Sequence, residues 1–348
     1  PDNAVITQAA DLLAASKNPV LVLGGGAADA AEELRVLAEK LDAPVIHTIN
    51  AKGILPPGHP LRAGENMALT PIRRLLAEAD LVLAIGTEFG ETEMYPDPAP
   101  IEINGQLIRI DIDAEQLTRG PVATLPILAD AGLAVSALNR APALATSRAR
   151  SGAARAAATY AAVRACWWPA VGRHQRIAEI VADCLPDAIL VGDSAEPVYA
   201  LNQSYQAPRP RSYFNSSTGY GTLGYGLPAA LGAKLAAPDR PVIVLAGDGG
   251  LQFSISELAA AVEARIPVIL LLWNNQGYGE IKSFMEERRI MPIGVDIYTP
   301  DFQTIVRGFG CAVARPDHLD HLAPALMEAS RRNVPTLIEL TPALFPTA

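Results

Sequence analysis

A glycine-flanked aspartate, Gly247-Asp248-Gly249, and two adjacent asparagines, Asn274 and Asn275, stand near the two ends of the stretch AGDGGLQFSISELAAAVEARIPVILLLWNNQGYG. Residues 250–273, 24 in number, separate them. An aspartate oxygen, an asparagine amide oxygen and a backbone carbonyl are hard donors. Such a set suits Mg2+ and leaves coordination places for phosphate oxygens and water. Gly247, Gly249 and Gly250 let backbone N–H groups come close to those oxygens, and a helix N-terminus beside them adds a favourable dipole. The chemistry this set points to is a metal-bound diphosphate. Gly-Asp-Gly alone reads better as a tight strand-to-helix turn with a capping aspartate. The pair at this spacing, each member at a strand end, favours the diphosphate.

The elements that position the pair follow from the hydrophobic pattern. PVIVLAGD (241–248) and PVILLLWNN (267–275) are apolar runs of strand length. Between them Ser254 and Glu257 have capping-box spacing, and Ile255, Leu258, Ala259 and Val262 make an apolar stripe. In an open α/β sheet ligands sit at the carboxyl ends of strands. A right-handed crossover returns the chain to the same edge of the sheet, so Asp248 and Asn275 are expected side by side. The same alternation recurs at PVLVLGG (19–25), APVIHTI (43–49), DLVLAIG (80–86), QLIRIDID (106–113), DAILVGD (187–193) and PTLIELT (335–341), with Ala/Leu/Glu-rich stretches between. The fold class expected is α/β, with two doubly wound parallel-sheet domains at 1–140 and 170–348. Residues 141–169, rich in Ala and Arg and without a strand pattern, read as a linker and a helix. Trp167-Trp168 would anchor that helix to a domain surface.

The chain has 348 residues and a formal charge of −9 with no Lys/Arg block, which argues against nucleic acid as a partner. No apolar run reaches the ~20 residues that span a bilayer, so no membrane is expected. Three distant cysteines, Cys166, Cys184 and Cys311, form neither a disulfide framework nor a metal pattern and fit a reducing cytoplasm. The opening PDNAVITQAADLL lacks the basic and apolar regions of a signal peptide. It reads as a helix entering a domain from a linker, with further sequence expected upstream.

GDGG followed by NN resembles the diphosphate motif of thiamine-diphosphate enzymes. STGYGTLGYGLPAALGAKLA (217–236) resembles the segment that holds the aminopyrimidine in the acetohydroxyacid synthase and benzoylformate decarboxylase group, and residues 19–115 resemble that group's central, Rossmann-like domain. The resemblance implies Asp248, Asn275 and the Gly277 carbonyl as Mg2+ ligands and Gly249 and Gly250 as backbone donors to the diphosphate. It places Leu223 beneath the bent cofactor and the Gly221 carbonyl against its 4′-amino group. Thr222, Gly247 and Tyr278 complete the cofactor-binding set. It implies a homodimer or homotetramer in which a glutamate on an N-terminal pyrimidine domain, supplied by a second subunit, activates the cofactor. No segment here resembles that domain, so no catalytic residue is expected in this chain, which by itself should be inactive.

Some members of the group bind FAD in the central domain. PVLVLGGGA (19–27) is not the full dinucleotide pattern, and the acidic run Glu88, Glu91, Glu93 and Asp97 does not welcome a pyrophosphate, so a structural domain without nucleotide is the expectation. Glu280, Ile281 and Phe284 fall where relatives contact substrate. A carboxylate at 280 suits a guanidinium, or it is a solvated acid in a first helical turn. HTINAKGILPPGHP, IGTEFGETE and LIRIDIDAEQL, with the Glu280 stretch, look like 5-guanidino-2-oxopentanoate (2-ketoarginine) decarboxylases. The resemblance then implies decarboxylation of that 2-oxo acid to 4-guanidinobutanal. Acetolactate-type carboligation of pyruvate and a non-catalytic scaffold are the alternatives. His318 and His321 read as a solvated helix face.

Overall fold

The computed structural model describes residues 1–94, 101–146 and 150–345. The chain forms two compact units, one of residues 1–167 and 206–211, the other of residues 168–205 and 212–348. In the first unit the elements are α1 (Asn3–Ala15), β1 (Pro19–Leu23), α2 (Ala31–Leu41), β2 (Val45–His47), β3 (Arg62–Glu65), α3 (Thr70–Ala77), β4 (Leu81–Ile85), α4 (Glu91–Met94), β5 (Gln106–Asp111), β6 (Leu125–Leu128), α5 (Ala131–Arg140) and α6 (Gly152–Ala165). In the second they are α7 (Pro169–Cys184), β7 (Ile189–Gly192), α8 (Glu196–Ser204), β8 (Tyr213–Asn215), α9 (Gly226–Ala236), β9 (Val242–Gly247), α10 (Asp248–Leu251), α11 (Glu257–Glu263), β10 (Ile269–Trp273), α12 (Gly279–Glu287), α13 (Phe302–Gly308), β11 (Ala312–Ala314), α14 (Leu322–Ala329) and β12 (Thr336–Leu340).

Each unit holds a six-stranded parallel sheet, ordered β3-β2-β1-β4-β5-β6 in the first and β11-β12-β10-β9-β7-β8 in the second. The α/β architecture with two doubly wound sheets is therefore as expected. The central strands are buried along their whole length because helices cover both faces. In the first unit Leu21, Leu23, Leu83 and Ile85 point into one core, under α1, α2 and α5. The alternate residues Val20, Val22, Val82 and Ala84 point into a second, shared with α3 and α6. In the second unit Val242, Val244, Ala246, Leu270 and Leu272 pack on apolar residues of α9, α11 and α13.

Helix α6, within the stretch read as linker and helix, packs on β3 and α3 of the first unit. Its attachment is specific. The Arg150 guanidinium donates to the Ser16 and Leu41 carbonyls at 3.0 and 2.9 Å, satisfying the C-terminal ends of α1 and α2. Gly152 lies so close to Asp42 that a Cβ would stand 1.9 Å from the Asp42 carbonyl oxygen. Trp167 packs half-buried on the α3/α6 core, with the Arg164 guanidinium 5.5 Å from its ring.

Two local expectations are corrected. The Ser254/Glu257 capping box does not form: the Ser254 hydroxyl is buried without a partner, Glu257 N–H donates to the Ser254 backbone carbonyl, and the cap position of α11 is Ser256. The chain already turns helically through Phe253 and Ser254, so Ser254 never adopts the extended cap conformation. As a result Ala261 takes the inward place and Ala259 is exposed.

Gly24 and Gly26 lie at the end of β1, where the sheet order reverses between β1 and β4. A Cβ on Gly24 would stand 2.0 Å from the Gly86 carbonyl oxygen, and Gly26 N–H donates to that oxygen at 3.1 Å. Backbone-to-backbone packing thus accounts for these glycines. Glu88 and Glu91 are exposed; Asp97 and the Glu93 side chain lie outside the described residues. His318 and His321 are exposed, and the His321 ring bonds Asp317 at 2.6 Å. Among the described residues no helix is long and apolar enough to cross a membrane, and all three cysteines are free.

Candidate active site

Strands β9 and β10 are neighbours in register, with Trp273 opposite Gly247. The residues that follow, Asp248 and Asn274-Asn275, therefore emerge side by side at the carboxyl ends of the two strands, and the 24-residue spacer is the crossover between them. The two asparagines then diverge. Asn274 turns to β12, where its amide donates to Glu339 at 2.8 Å. Asn275 turns to Asp248.

Asp248 is 1 % exposed. Its Oδ2 accepts from Gly277 N–H at 2.8 Å and from the Thr299 hydroxyl at 3.2 Å. Burial pushes the carboxyl above its ordinary value, opposed by the N–H groups of Gly249 and Gly277 and by Thr299. The Asn275 side-chain oxygen faces the Gly277 carbonyl oxygen at 3.0 Å and Asp248 Oδ1 at 3.3 Å, with no proton between them. Turned over, the amide would donate to both. A cation between the three oxygens removes the conflict without the turn. Adjacent oxygens in an octahedral Mg2+ shell lie about 2.9 Å apart, given bonds of about 2.0–2.1 Å, so this donor set fits that ion. Among the described residues no three His, Cys, Asp or Glu side chains are placed to hold a metal ion by themselves; the oxygens here come from one carboxylate, one amide and one carbonyl.

The glycines of this loop are required by space. A Cβ on Gly249 would stand 2.5 Å from the Tyr278 ring, and Gly277, at φ 150°, would put one 2.7 Å from the Val295 carbonyl oxygen.

A third strand end completes the site. Asp193 follows β7, at the point where the second sheet reverses order between β7 and β9. Its buried carboxylate accepts from Ser194 N–H at 2.7 Å, Gly224 N–H at 3.1 Å and Gly226 N–H at 2.9 Å. Burial raises this carboxyl, and the three N–H groups act against the rise. The Ser194 hydroxyl donates to the Gly221 carbonyl at 2.7 Å. Loop 221–226 is thereby fixed against β7, with Gly221 and Gly224 at φ 65° and 82°.

A cavity of about 200 Å3 opens here, wholly within the second unit. Of the residues singled out from the sequence, Gly221, Leu223, Gly247, Asp248, Gly249, Gly250, Asn275, Gly277, Tyr278, Glu280 and Ile281 line it. Thr222 and Phe284 do not; both are exposed, and Phe284 lies 4.1 Å beneath the Arg288 guanidinium. The structure adds Asp193 behind the loop and, on the cavity wall, Ser194, Glu196, Tyr199 and Trp273. Asp193 ends the apolar run DAILVGD, and that position was the only signal for it. Glu196 accepts from His174 Nε2 at 2.8 Å, Arg173 at 3.1 Å and the Trp273 indole at 3.3 Å. Burial alone would raise its carboxyl; these donors, His174 foremost, hold it below the ordinary value.

Comparison with known families agrees with this geometry. Residues 193–340 match the thiamine pyrophosphate enzyme C-terminal TPP-binding domain, and residues 6–138 match the central domain of the same enzymes. The chain belongs to the thiamine pyrophosphate enzymes. It is 41 % identical over 343 residues to a probable 2-ketoarginine decarboxylase of Pseudomonas aeruginosa, covering 98 % of this chain and 61 % of that protein. It is 32 % identical over 351 residues to the acetolactate synthase isozyme 1 large subunit of Escherichia coli, covering 96 % and 60 %. A sulfoacetaldehyde acetyltransferase of Castellaniella defragrans is 28 % identical, with 92 % and 59 % covered. The chain thus spans about three fifths of the length of these relatives.

Proposed function

We propose that this chain supplies the metal- and diphosphate-binding half of an enzyme that decarboxylates a 2-oxo acid without oxidation, with 5-guanidino-2-oxopentanoate giving 4-guanidinobutanal and CO2. The observation that carries the cofactor reading is the convergence of the Asp248, Asn275 and Gly277 oxygens. When bound, thiamine diphosphate would supply a nucleophilic carbon for the 2-oxo group and a ring able to act as electron sink during decarboxylation.

The chain's own residues bind and orient. Asp248, Asn275 and the Gly277 carbonyl hold Mg2+. Gly249 and Gly250 turn backbone N–H groups to the diphosphate, with the Tyr278 ring packed against Gly249. Leu223 would pack against the bound cofactor, and Gly221, whose carbonyl Ser194 holds, would offer that oxygen to the 4′-amino group. Thr222 and Gly247 flank these contacts. Glu280 faces the substrate's cationic end. No residue here takes the activating glutamate's part; that group comes from a pyrimidine domain of a second subunit in a homodimer or homotetramer. Exposed Ile281, Phe284, Ile290, Met291, Ile293 and Tyr298 give such a domain apolar surface to cover. Three free thiols suit the cytoplasm.

Thermal unfolding with and without thiamine diphosphate plus Mg2+ tests the cofactor reading, since a ligand of the native state raises the midpoint. A shift that requires both ligands supports it. No shift, in this chain or in the full-length polypeptide, overturns it. Acetolactate-type carboligation is the second reading, favoured by the 32 % identity to an acetolactate synthase. Turnover of pyruvate to a coupled product in preference to the guanidino acid would select it.

A further inference from the structure

Among the described residues three carboxylates line the cavity, those of Glu196, Asp248 and Glu280, and no lysine, arginine or histidine does. The cation of the proposed cofactor accounts for Asp248. The other two stand in the first turns of α8 and α12, so each helix delivers one carboxylate to the same space. They differ in setting. Glu196 is nearly buried, and its Oε1 is taken by His174 and Arg173, while Oε2 accepts a single bond, from the Trp273 indole. A carboxylate oxygen has two lone pairs, so Oε2 keeps one acceptor place, on a residue that lines the cavity. Glu280 is exposed at the rim and forms no hydrogen bond or ion pair among the described residues. Partial burial of the carboxyl against the cavity raises it first, the charges of Glu196 and Glu287 raise it further, and Arg173 acts against the rise.

We propose that Glu196 is a second specificity-determining residue, and that Glu196 and Glu280 together clamp the guanidinium end of the substrate. The inference rests on the guanidino substrate proposed above and assigns a role to Glu196 that the sequence did not indicate. A guanidinium carries five N–H donors in one plane. One edge can meet Glu280 in a two-bond fork while another N–H reaches Glu196 Oε2. Trp273 lines the same cavity and offers the cation an aromatic neighbour. Arg173 and His174 pair with Glu196, and Glu280 is left without a cationic partner in hydrogen-bond or ion-pair contact among the described residues. A guanidinium supplies one. Pyruvate has no such group and would leave two like charges facing one cavity.

The test uses the full-length enzyme loaded with thiamine diphosphate and Mg2+. One readout is kcat/KM for 5-guanidino-2-oxopentanoate and for its neutral isostere 5-ureido-2-oxopentanoate. The other is calorimetric binding of 4-guanidinobutanoate and 4-ureidobutanoate. Glu196→Gln keeps the size of the side chain, and its one amide oxygen can still accept from His174 and Arg173. It is expected to lower the guanidino-to-ureido ratio about tenfold or more in both readouts, with the ureido values within about threefold of wild type. Glu280→Gln should do the same, and Glu196→Asp, which keeps the charge, should retain most of the preference. Equal losses on both ligands in Glu196→Gln would reduce Glu196 to a structural role and sink the clamp. If Glu196→Gln fails to fold, an unchanged ratio in Glu280→Gln sinks it instead. The substrate reading fails separately: 4-guanidinobutanoate would bind in a Glu196-dependent way while the guanidino acid is not decarboxylated.

Discussion

Asp248 is a buried carboxylate with no cationic side chain among the groups that act on it. In the metal site proposed above, its raised carboxyl would link metal binding to pH. In the metal-free chain an acid raised on folding stabilises the fold fully below its unfolded value, near 3.8, and that contribution is lost as pH rises through the folded value. As a proposed metal ligand, Asp248 would have to be ionised. The rise in unfolding midpoint that Mg2+ and thiamine diphosphate produce should therefore fade as pH falls through the raised Asp248 value, above 3.8, and scans between neutral and acid pH would show it. Asp248→Asn should abolish the ligand-induced rise, with cofactor affinity down more than about 100-fold, while the metal-free midpoint stays the same or increases. A retained rise in that variant would remove Asp248 from the metal site. Asp248 and Asn275 were legible in the sequence because glycines flank them and strand-like runs precede them. Glu196 was not, because a lone glutamate after a strand carries no signature; only the packing of α8 turns it to the cavity.

Loop 221–226 is held by two side chains that follow β7, those of Asp193 and Ser194. Asp193, after β7, gathers three N–H groups, two of them from that loop. Asp193→Ala leaves those donors unpaired and should destabilise the second unit by about 1–3 kcal/mol. It should weaken thiamine diphosphate binding more than it weakens Mg2+ binding to the Asp248 loop. Titration of each ligand against wild type checks this, and equal effects would mean that the two loops act as one. Gly249→Ala drives a methyl into the Tyr278 ring. It should cost about 1–3 kcal/mol, read as a lower midpoint, and lose the ligand response. The elements themselves were read unevenly. All eight apolar runs picked out in the sequence contain or overlap strands, and each of these is buried. The four strands without such a run, β3, β6, β8 and β11, are the four edges of the two sheets. An edge pairs on one side only, and its residues need not form a continuous apolar run. The alternating exposure of Leu125–Leu128 shows the result.

At the scale of the chain, every residue that lines the cavity belongs to the second unit. Hydrogen exchange with and without thiamine diphosphate and Mg2+ should therefore show added protection in 193–199, 221–226, 247–251 and 275–281, with the first sheet unchanged in its central strands. Protection that appears first in 19–27 would point to a nucleotide at the β1 glycines instead. In the first unit Arg150 joins the ends of α1 and α2, and Arg150→Ala should lower its stability by about 1–3 kcal/mol without changing ligand affinity. The boundary of this unit was the least legible feature of the chain. Nothing in the composition of 141–169 shows that Arg150 and Gly152 find partners more than a hundred residues earlier. The shortness of the edge strands has a further consequence. β3 and β6 have four residues each, and β8 and β11 three. So short a row of unpaired N–H and C=O groups is a poor template for a strand from another chain. Two large open sheets can thus be made at high concentration in a crowded cell with little tendency to join edge to edge.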